Sequence, residues 1–174
     1  MKFKLSQTIE LLEATPQVIA SYLSTLSEDW LKSNEGKDTW SPYVILGHLI
    51  YGEKHDWMIR VKTILGGSEN KEFEPFDRFA QLSEDQNKPV SLMIQEFKEL
   101  RKKNLDELTS LNIQQHHLSH TGIHPAFGEV TLQQLLATWT VHDLGHIAQI
   151  SRVMAKQYSN EVGPWIEYLS ILKK

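Results

Sequence analysis

The run Thr131–Tyr158, TLQQLLATWTVHDLGHIAQISRVMAKQY, allows little besides one long helix. Thr131 can cap its N-terminus. Gln134, three residues on, completes a capping box, and Val130 and Leu135 stand where a hydrophobic staple needs them. No proline interrupts the run. Leu132, Leu135, Trp139, Ile150 and Val153 recur at helical spacing, so one face is built to be buried. His142 and His146 stand on that face, in register with Leu135 and Trp139. They are four residues apart, so their rings lie one above the other. Two imidazoles so placed can hold one metal ion. The competing reading is a pair of core histidines satisfied by hydrogen bonds. Titratable side chains within an apolar stripe are costly unless something satisfies them.

A second helix is predicted from Ser41-Pro42, a cap followed by a proline at the first helical position, to the stop at Gly66-Gly67. On it Val44, His48, Tyr51, His55, Met58 and Ile59 share one face. A third imidazole therefore also points inward. His48 and His55 are seven apart, about 10 Å along the axis. Only one of them can meet the His142–His146 pair, and spacing leaves the choice open.

The remaining segments are expected to frame these two helices. Residues 5–14 and 16–26 carry helix-period apolar positions, with a break or kink at Thr15-Pro16. Residues 27–40 read as a connector, with Asn34, Gly36 and Asp38 as turn formers. Residues 66–88 read as a long polar connector, a lid or a short turn near FDRFAQL. A third long helix is predicted over about 89–110. Met93, Phe97, Leu100, Leu105 and Leu108 face its core, and the charged run Arg101-Lys102-Lys103 lies on its solvated side. Residues 111–130 read as an irregular crossing rich in histidine, since His124-Pro125 disfavours a continuous helix. His116, His117, His120 and His124 offer a second possible metal cluster there. The tail from Val162 is expected to form a short helix docked by Trp165, Ile166 and Leu169. No repeat or strand-like alternation is evident. The fold class is therefore all-α, a helical bundle, with residues 1–174 as a single domain.

Composition narrows the function classes. A net charge of −4 without a basic block argues against a nucleic-acid partner. With no cysteine, the chain has neither disulfides nor thiolate ligands of its own. Gln7 and Glu10 interrupt any signal-peptide core, and no apolar run is long enough to span a bilayer. No membrane association is expected, and a cytoplasmic location is the default.

Several motifs resemble the DinB/YfiT-like family. They are W-x-P-x-x-I-L-G-H-L-x-x-G-E-x-x-D-W-x-x-R from Trp40 to Arg60 and F-x-x-L-R-x-x-N-L from Phe97 to Leu105. H-P-A-F-G-E-V-T-L from His124 and H-D-L-G-H-I-A-Q-I-x-R from His142 complete the set. The resemblance covers nearly the whole chain. It implies a four-helix bundle with long crossover connections, and it implies His48, not His55, as the partner of His142 and His146 in a metal triad. It also suggests a homodimer. Characterised relatives include thiol-dependent transferases and isomerases, in which the metal activates a low-molecular-weight thiol.

Three neutral imidazoles leave a divalent ion with uncompensated charge and open positions, the layout of a catalytic site. The expected function is that of a metal-dependent transferase or hydrolase acting on a small molecule, with a low-molecular-weight thiol as a candidate cosubstrate. A metal-holding binding or stress-response protein without turnover is the alternative, and a bundle with purely structural core histidines is a third. All-imidazole ligation suits zinc, nickel, copper or iron, with zinc or nickel favoured. Glu53, Tyr51 and Asp143 are the nearest candidates for acid–base or ligand-orienting work. For each, a surface or helix-pairing role competes.

Overall fold

Helix α1, Leu5–Leu23, continues through Pro16. The break expected at Thr15-Pro16 is absent, and long-range contacts explain why. Proline has no N–H to give the carbonyl four residues back. That carbonyl, of Leu12, instead accepts a 2.8 Å hydrogen bond from Arg101 Nη1. Thr15 Oγ1 donates to Leu11 O as well. The computed structural model describes residues 1–67 and 70–173, so Ser68, Glu69 and Lys174 of the expected segments lie outside the described residues.

After a short α2, Glu28–Lys32, the chain enters α3, Pro42–His55. Ser41 caps α3 as expected, its Oγ accepting from Val44 N. The helix does not continue to Gly66. It breaks at Asp56, whose φ of −126° and ψ of −76° are not helical, and α4 resumes over Trp57–Leu65. The break turns the downstream face. Trp57, Met58, Val61 and Ile64 are buried, whereas Ile59, expected alongside Met58, is exposed. His55 ends α3 and faces solvent.

The connector that follows carries one 3-10 turn, Ala80–Ser83, which seats Gln81 against α3. Gln81 lies over Gly47, where a Cβ would meet its side chain at an ordinary contact of 3.7 Å. Helix α5 spans Val90–Ser110 and buries Met93, Phe97, Leu105 and Leu108 as expected. Arg101 overturns the expectation of a solvated charge run. It is 1% exposed, while Lys102 and Lys103 beside it are exposed.

The crossing before the last helix is more ordered than its sequence suggests. Residues Gln115–Ser119 form a 3-10 turn, and β1, Thr121–His124, pairs antiparallel with β2, Gly128–Thr131. Strands of four residues are too short to display a period. The hairpin is pinned from outside by Phe73, whose N–H donates to Ile123 O at 2.9 Å. Gly122 is required there, because a Cβ would sit 2.5 Å from the Phe73 ring. Helix α6, Leu132–Lys156, then starts on the predicted capping box. Gln134 N donates to Thr131 Oγ1, and Thr131 N donates to Gln134 Oε1. The tail forms 3-10 turns over Gly163–Tyr168 and Ser170–Leu172. Trp165 is 71% exposed and does not dock it, and Leu169 is exposed as well. Ile166 is only half-buried.

Helices α1, α3 with α4, α5 and α6 make a four-helix bundle whose core falls into two apolar halves. One gathers Ile19, Leu23, Leu46, Leu49, Phe97 and Ile150. The other gathers Leu12, Trp57, Val61, Leu108, Leu136 and Trp139. Between them each helix contributes buried polar groups at mid-length: Thr15 from α1, His48 and Glu53 from α3, Arg101 and Asn104 from α5, Thr140 and Asp143 from α6. This layer positions the functional site.

Candidate metal centre

Within the polar layer Arg101 is the hub. Its Nη2 donates to Glu53 Oε1 at 2.8 Å and its Nη1 to Asp143 Oδ2 at 2.7 Å, besides the Leu12 carbonyl. Asn104 Nδ2 donates to both Glu53 O and Glu53 Oε2, and Trp139 Nε1 donates to Glu53 Oε1. Burial opposes the charge on Arg101, but Glu53 and Asp143 more than offset it and hold its pKa above the usual value. Burial likewise works against ionised Asp143, yet the His142 ring and Arg101 keep its carboxyl below the usual range. Removing one partner from such a buried set leaves the other's charge uncompensated. Glu53 and Asp143 therefore do helix-pairing work, the role weighed against catalysis for each. Tyr51 packs against His55 and Phe76.

At His48, a member of this layer, the three histidines meet. His48 Nε2 lies 3.1 Å from His142 Nε2, and His146 Nε2 also lies 3.1 Å from it. Protons alone cannot account for both contacts. A neutral His142 Nε2 carries either one hydrogen or one lone pair, so it makes one good hydrogen bond there. A central cation satisfies all three nitrogens. With metal–nitrogen bonds of about 2.05 Å, a tetrahedral edge is about 3.3 Å and an octahedral one about 2.9 Å. The observed spacing lies between them. Among the described residues, His48, His142 and His146 form the one group of three whose ligand atoms all fall within 4.8 Å of one another.

The rings are also in the right charge state. Burial, then the neighbouring His146 and His142, depress His48 to about 3. Burial and His142 depress His146 to about 4. Both are neutral at neutral pH, with lone pairs to give. Their far sides are ordered too. His146 Nδ1 meets Gln149 Oε1 at 2.8 Å, and the Trp40 ring stacks on His146. Trp57 packs edge-on to His142.

The triad opens into a cleft of about 530 Å³ whose walls include Trp40, Trp57, Phe76 and Phe79. Most of its charges are paired. Glu35 is bound by Arg152 at 2.8 Å and lies 3.5 Å from Lys156, and Asp56 is bound by Arg60. Among the described residues Arg78 has no ion pair, and its guanidinium lies over the Phe79 ring. Asp56 is the carboxylate of the α3–α4 break that reaches the cleft. Burial raises its pKa, and Arg60 and His142 do not cancel the rise.

A family model described as the DinB superfamily matches residues 11–150. The chain belongs to the DinB superfamily. The DinB fold is evident in a solved structure as well. YfiT from Bacillus subtilis, described as a probable metal-dependent hydrolase with an unusual four-helix bundle topology, superposes with a TM-score of 0.75. The match covers 90% of this chain and 89% of that one at 17% identity, a likeness of fold. No curated protein matches the sequence. Among the described residues, no helix of this DinB-superfamily protein is long and apolar enough to cross a membrane.

Sequence reasoning singled out the three histidines that meet, but it missed three contributors. Asp56 is followed by Trp57 and, four residues on, by Arg60, a cap-and-pair pattern that could have signalled both the helix break and its carboxylate. Gln149, three residues after His146, lies within reach on the same helix face. Gln81 carried no local signal. The second histidine cluster does not assemble. The His116, His117 and His120 rings crowd at the surface, and His117 Nδ1 is used by Gln114 N. His124 stacks on Phe127 instead.

Proposed function

We propose that His48, His142 and His146 hold a divalent transition metal, zinc or nickel, and that the protein is a metal-dependent transferase or hydrolase acting on a small molecule. The observation that carries this reading is the convergence of three imidazole nitrogens at the wall of an open cleft. A structural metal site closes all its positions with protein ligands, whereas a three-histidine site facing a cleft leaves room for a reactant.

The metal, when bound, supplies Lewis acidity and lowers the pKa of a coordinating water or thiol. The protein's own residues do the rest. Arg101, Glu53 and Asp143 fix α3, α5 and α6 relative to one another and so hold the ligand rings on packed helices. Trp40, Phe76 and Phe79 give apolar surface to the body of the reactant. Arg78 adds positive charge at the cleft, which favours an anionic donor such as a thiolate or carboxylate. Asp56, which lines the cleft and whose pKa is raised by burial, would take a proton from the incoming group and return it to the leaving one.

The test begins with elemental analysis of untagged protein, for which about one equivalent of metal per chain is expected. The ion is then replaced by cobalt, and low-molecular-weight thiols are titrated in. Sulfur-to-cobalt charge-transfer absorption supports the thiol cosubstrate. Absence of that band with every thiol tried, alongside hydrolysis of activated esters or amides, would move the assignment to hydrolase. Metal-free protein from cells grown with zinc and nickel would overturn the reading.

A further inference from the structure

The buried polar atoms without hydrogen-bond partners gather in one place. Among the described residues they are Gln7 Oε1, His48 Nδ1, both amide atoms of Gln81, Arg101 Nε, His142 Nδ1 and Asp143 Oδ1. Apart from Gln7 and Arg101, all belong to two ligand histidines and to the side chains beside them. Native proteins leave few buried groups unpaired, and each such group calls for a cause.

These atoms match in complementary pairs. Gln81 packs against α3 at Gly47, the residue before His48, its Cβ and Cγ within 3.8 Å of where a Gly47 Cβ would stand, and among the described residues neither its amide atoms nor His48 Nδ1 has a hydrogen-bond partner. Asp143 Oδ1 stands 3.9 Å from His142 Nδ1, just beyond bonding distance. The third ring already has its contact, His146 Nδ1 to Gln149 Oε1 at 2.8 Å. Each ring thus turns Nε2 to the common centre, and the Nδ1 atoms of His142 and His146 face different side-chain oxygens. That division of labour matters because a ring that ligates through Nε2 must carry its proton on Nδ1. The acceptor at Nδ1 selects that tautomer and sets the ring's orientation.

We propose that Gln81, Asp143 and Gln149 form the outer shell of the metal site, each accepting the Nδ1–H of one ligand histidine. The proposal rests on the metal reading above. Closing the Asp143 contact needs a shift of only about an ångström, from 3.9 Å to an ordinary length. Asp143 is the one charged member. Arg101 holds its other oxygen and Glu53 at once, so two carboxylates on one guanidinium leave a formal charge of minus one beneath the cation. Arg101 is therefore a positioning residue, tied in turn to the Leu12 carbonyl that Pro16 leaves free. Gln81 enters from the connector that also supplies Phe76, Arg78 and Phe79 to the cleft, so one segment shapes the reactant's site and orients a ligand.

Two measurements test this. In zinc-loaded protein labelled with nitrogen-15 histidine, long-range proton–nitrogen spectra should show all three rings bound through Nε2, with Nδ1–H protected from exchange. A ring bound through Nδ1, or an unprotected Nδ1–H on His48 or His142, would overturn the proposal. Zinc affinity by chelator competition should fall about ten- to hundredfold in Gln81→Leu and in Asp143→Asn. Gln81→Glu, which restores an acceptor, should recover most of the loss. Unchanged affinity in both Gln81→Leu and Asp143→Asn would sink the outer shell while leaving the metal site intact. Wild-type protein that binds no zinc would instead refute the metal reading. Should Asp143→Asn fail to fold, judged by circular dichroism, the wild-type spectra and Gln81→Leu remain decisive.

Discussion

Two histidine groups of like spacing meet different fates in this protein. His142 and His146 are four residues apart on α6, and their ring centroids lie 4.3 Å apart with His48 closing the triangle. His116 and His120 are also four apart, yet their centroids lie 6.2 Å apart at the surface. The first pair sits on a regular helix packed against α1, α3 and α4. The second spans a 3-10 turn and a strand start, where four residues no longer make one turn. Spacing acquires chemical meaning only through the backbone that carries it and the elements packed against that backbone.

The largest effect that could break this contrast is loss of metal. His48→Ala, His142→Ala and His146→Ala should each strip most of the bound ion. His55→Ala, His116→Ala and His120→Ala should leave it in place. Metal content after dialysis reads this directly. If His55→Ala empties the site while His48→Ala does not, the convergence of Nε2 atoms has misidentified the ligand on α3.

A smaller effect separates buried from solvated charge along α5. Arg101→Met removes the hub of the polar layer and should cost about 3–5 kcal/mol in urea unfolding, since it leaves Glu53 and Asp143 buried without their partner. Lys102→Ala, one residue on and paired only with exposed Asp106, should change stability by less than about 0.5 kcal/mol. Near-equal losses in the two variants would show that the layer is not what joins the apolar halves.

The smallest effect is in pH. His48 and His146 titrate near 3 and 4 in the native protein but near 6.5 when unfolded. Between those values the unfolded chain binds more protons. Stability of the metal-free protein is therefore full above about pH 6.5 and is lost as pH falls towards 3, with a decline of about 2 kcal/mol for the two rings together already by pH 6. Replacing His48 and His146 together by Gln should flatten that profile, while His116→Ala should not. An unaltered slope in the double variant would place the proton uptake elsewhere.

Much of the architecture was legible residue by residue. The α6 cap, its buried stripe and the His142–His146 pair all followed from spacing in one segment. Ser41-Pro42 marked the start of α3, and the core positions of α5 were visible. The misreadings share a physical origin. Pro16 signals a break to anyone who cannot see Arg101 supplying its missing bond. Arg101 looks solvated beside Lys102 and Lys103 because only two distant carboxylates make its burial tolerable. The continuous helix drawn from Pro42 to Gly66 hid the break that brings Asp56 to the cleft and turns His55 outward.

What the sequence determined by itself is therefore what a single helix determines: which residues share a face, where the helix is capped, and which side chains stack one turn apart. These follow from the local geometry of 3.6 residues per turn. Spacing alone left His48 and His55 open, and only a family resemblance favoured one of them. The tertiary structure decided which histidine of α3 completes the triad, which charge of α5 is buried, and which glutamine packs against α3 beside it. The joining contacts run from Leu12 to Arg101, from Arg101 to Asp143 and from His48 to His142. Each links groups far apart in the chain, and their partners become visible only when the helices pack.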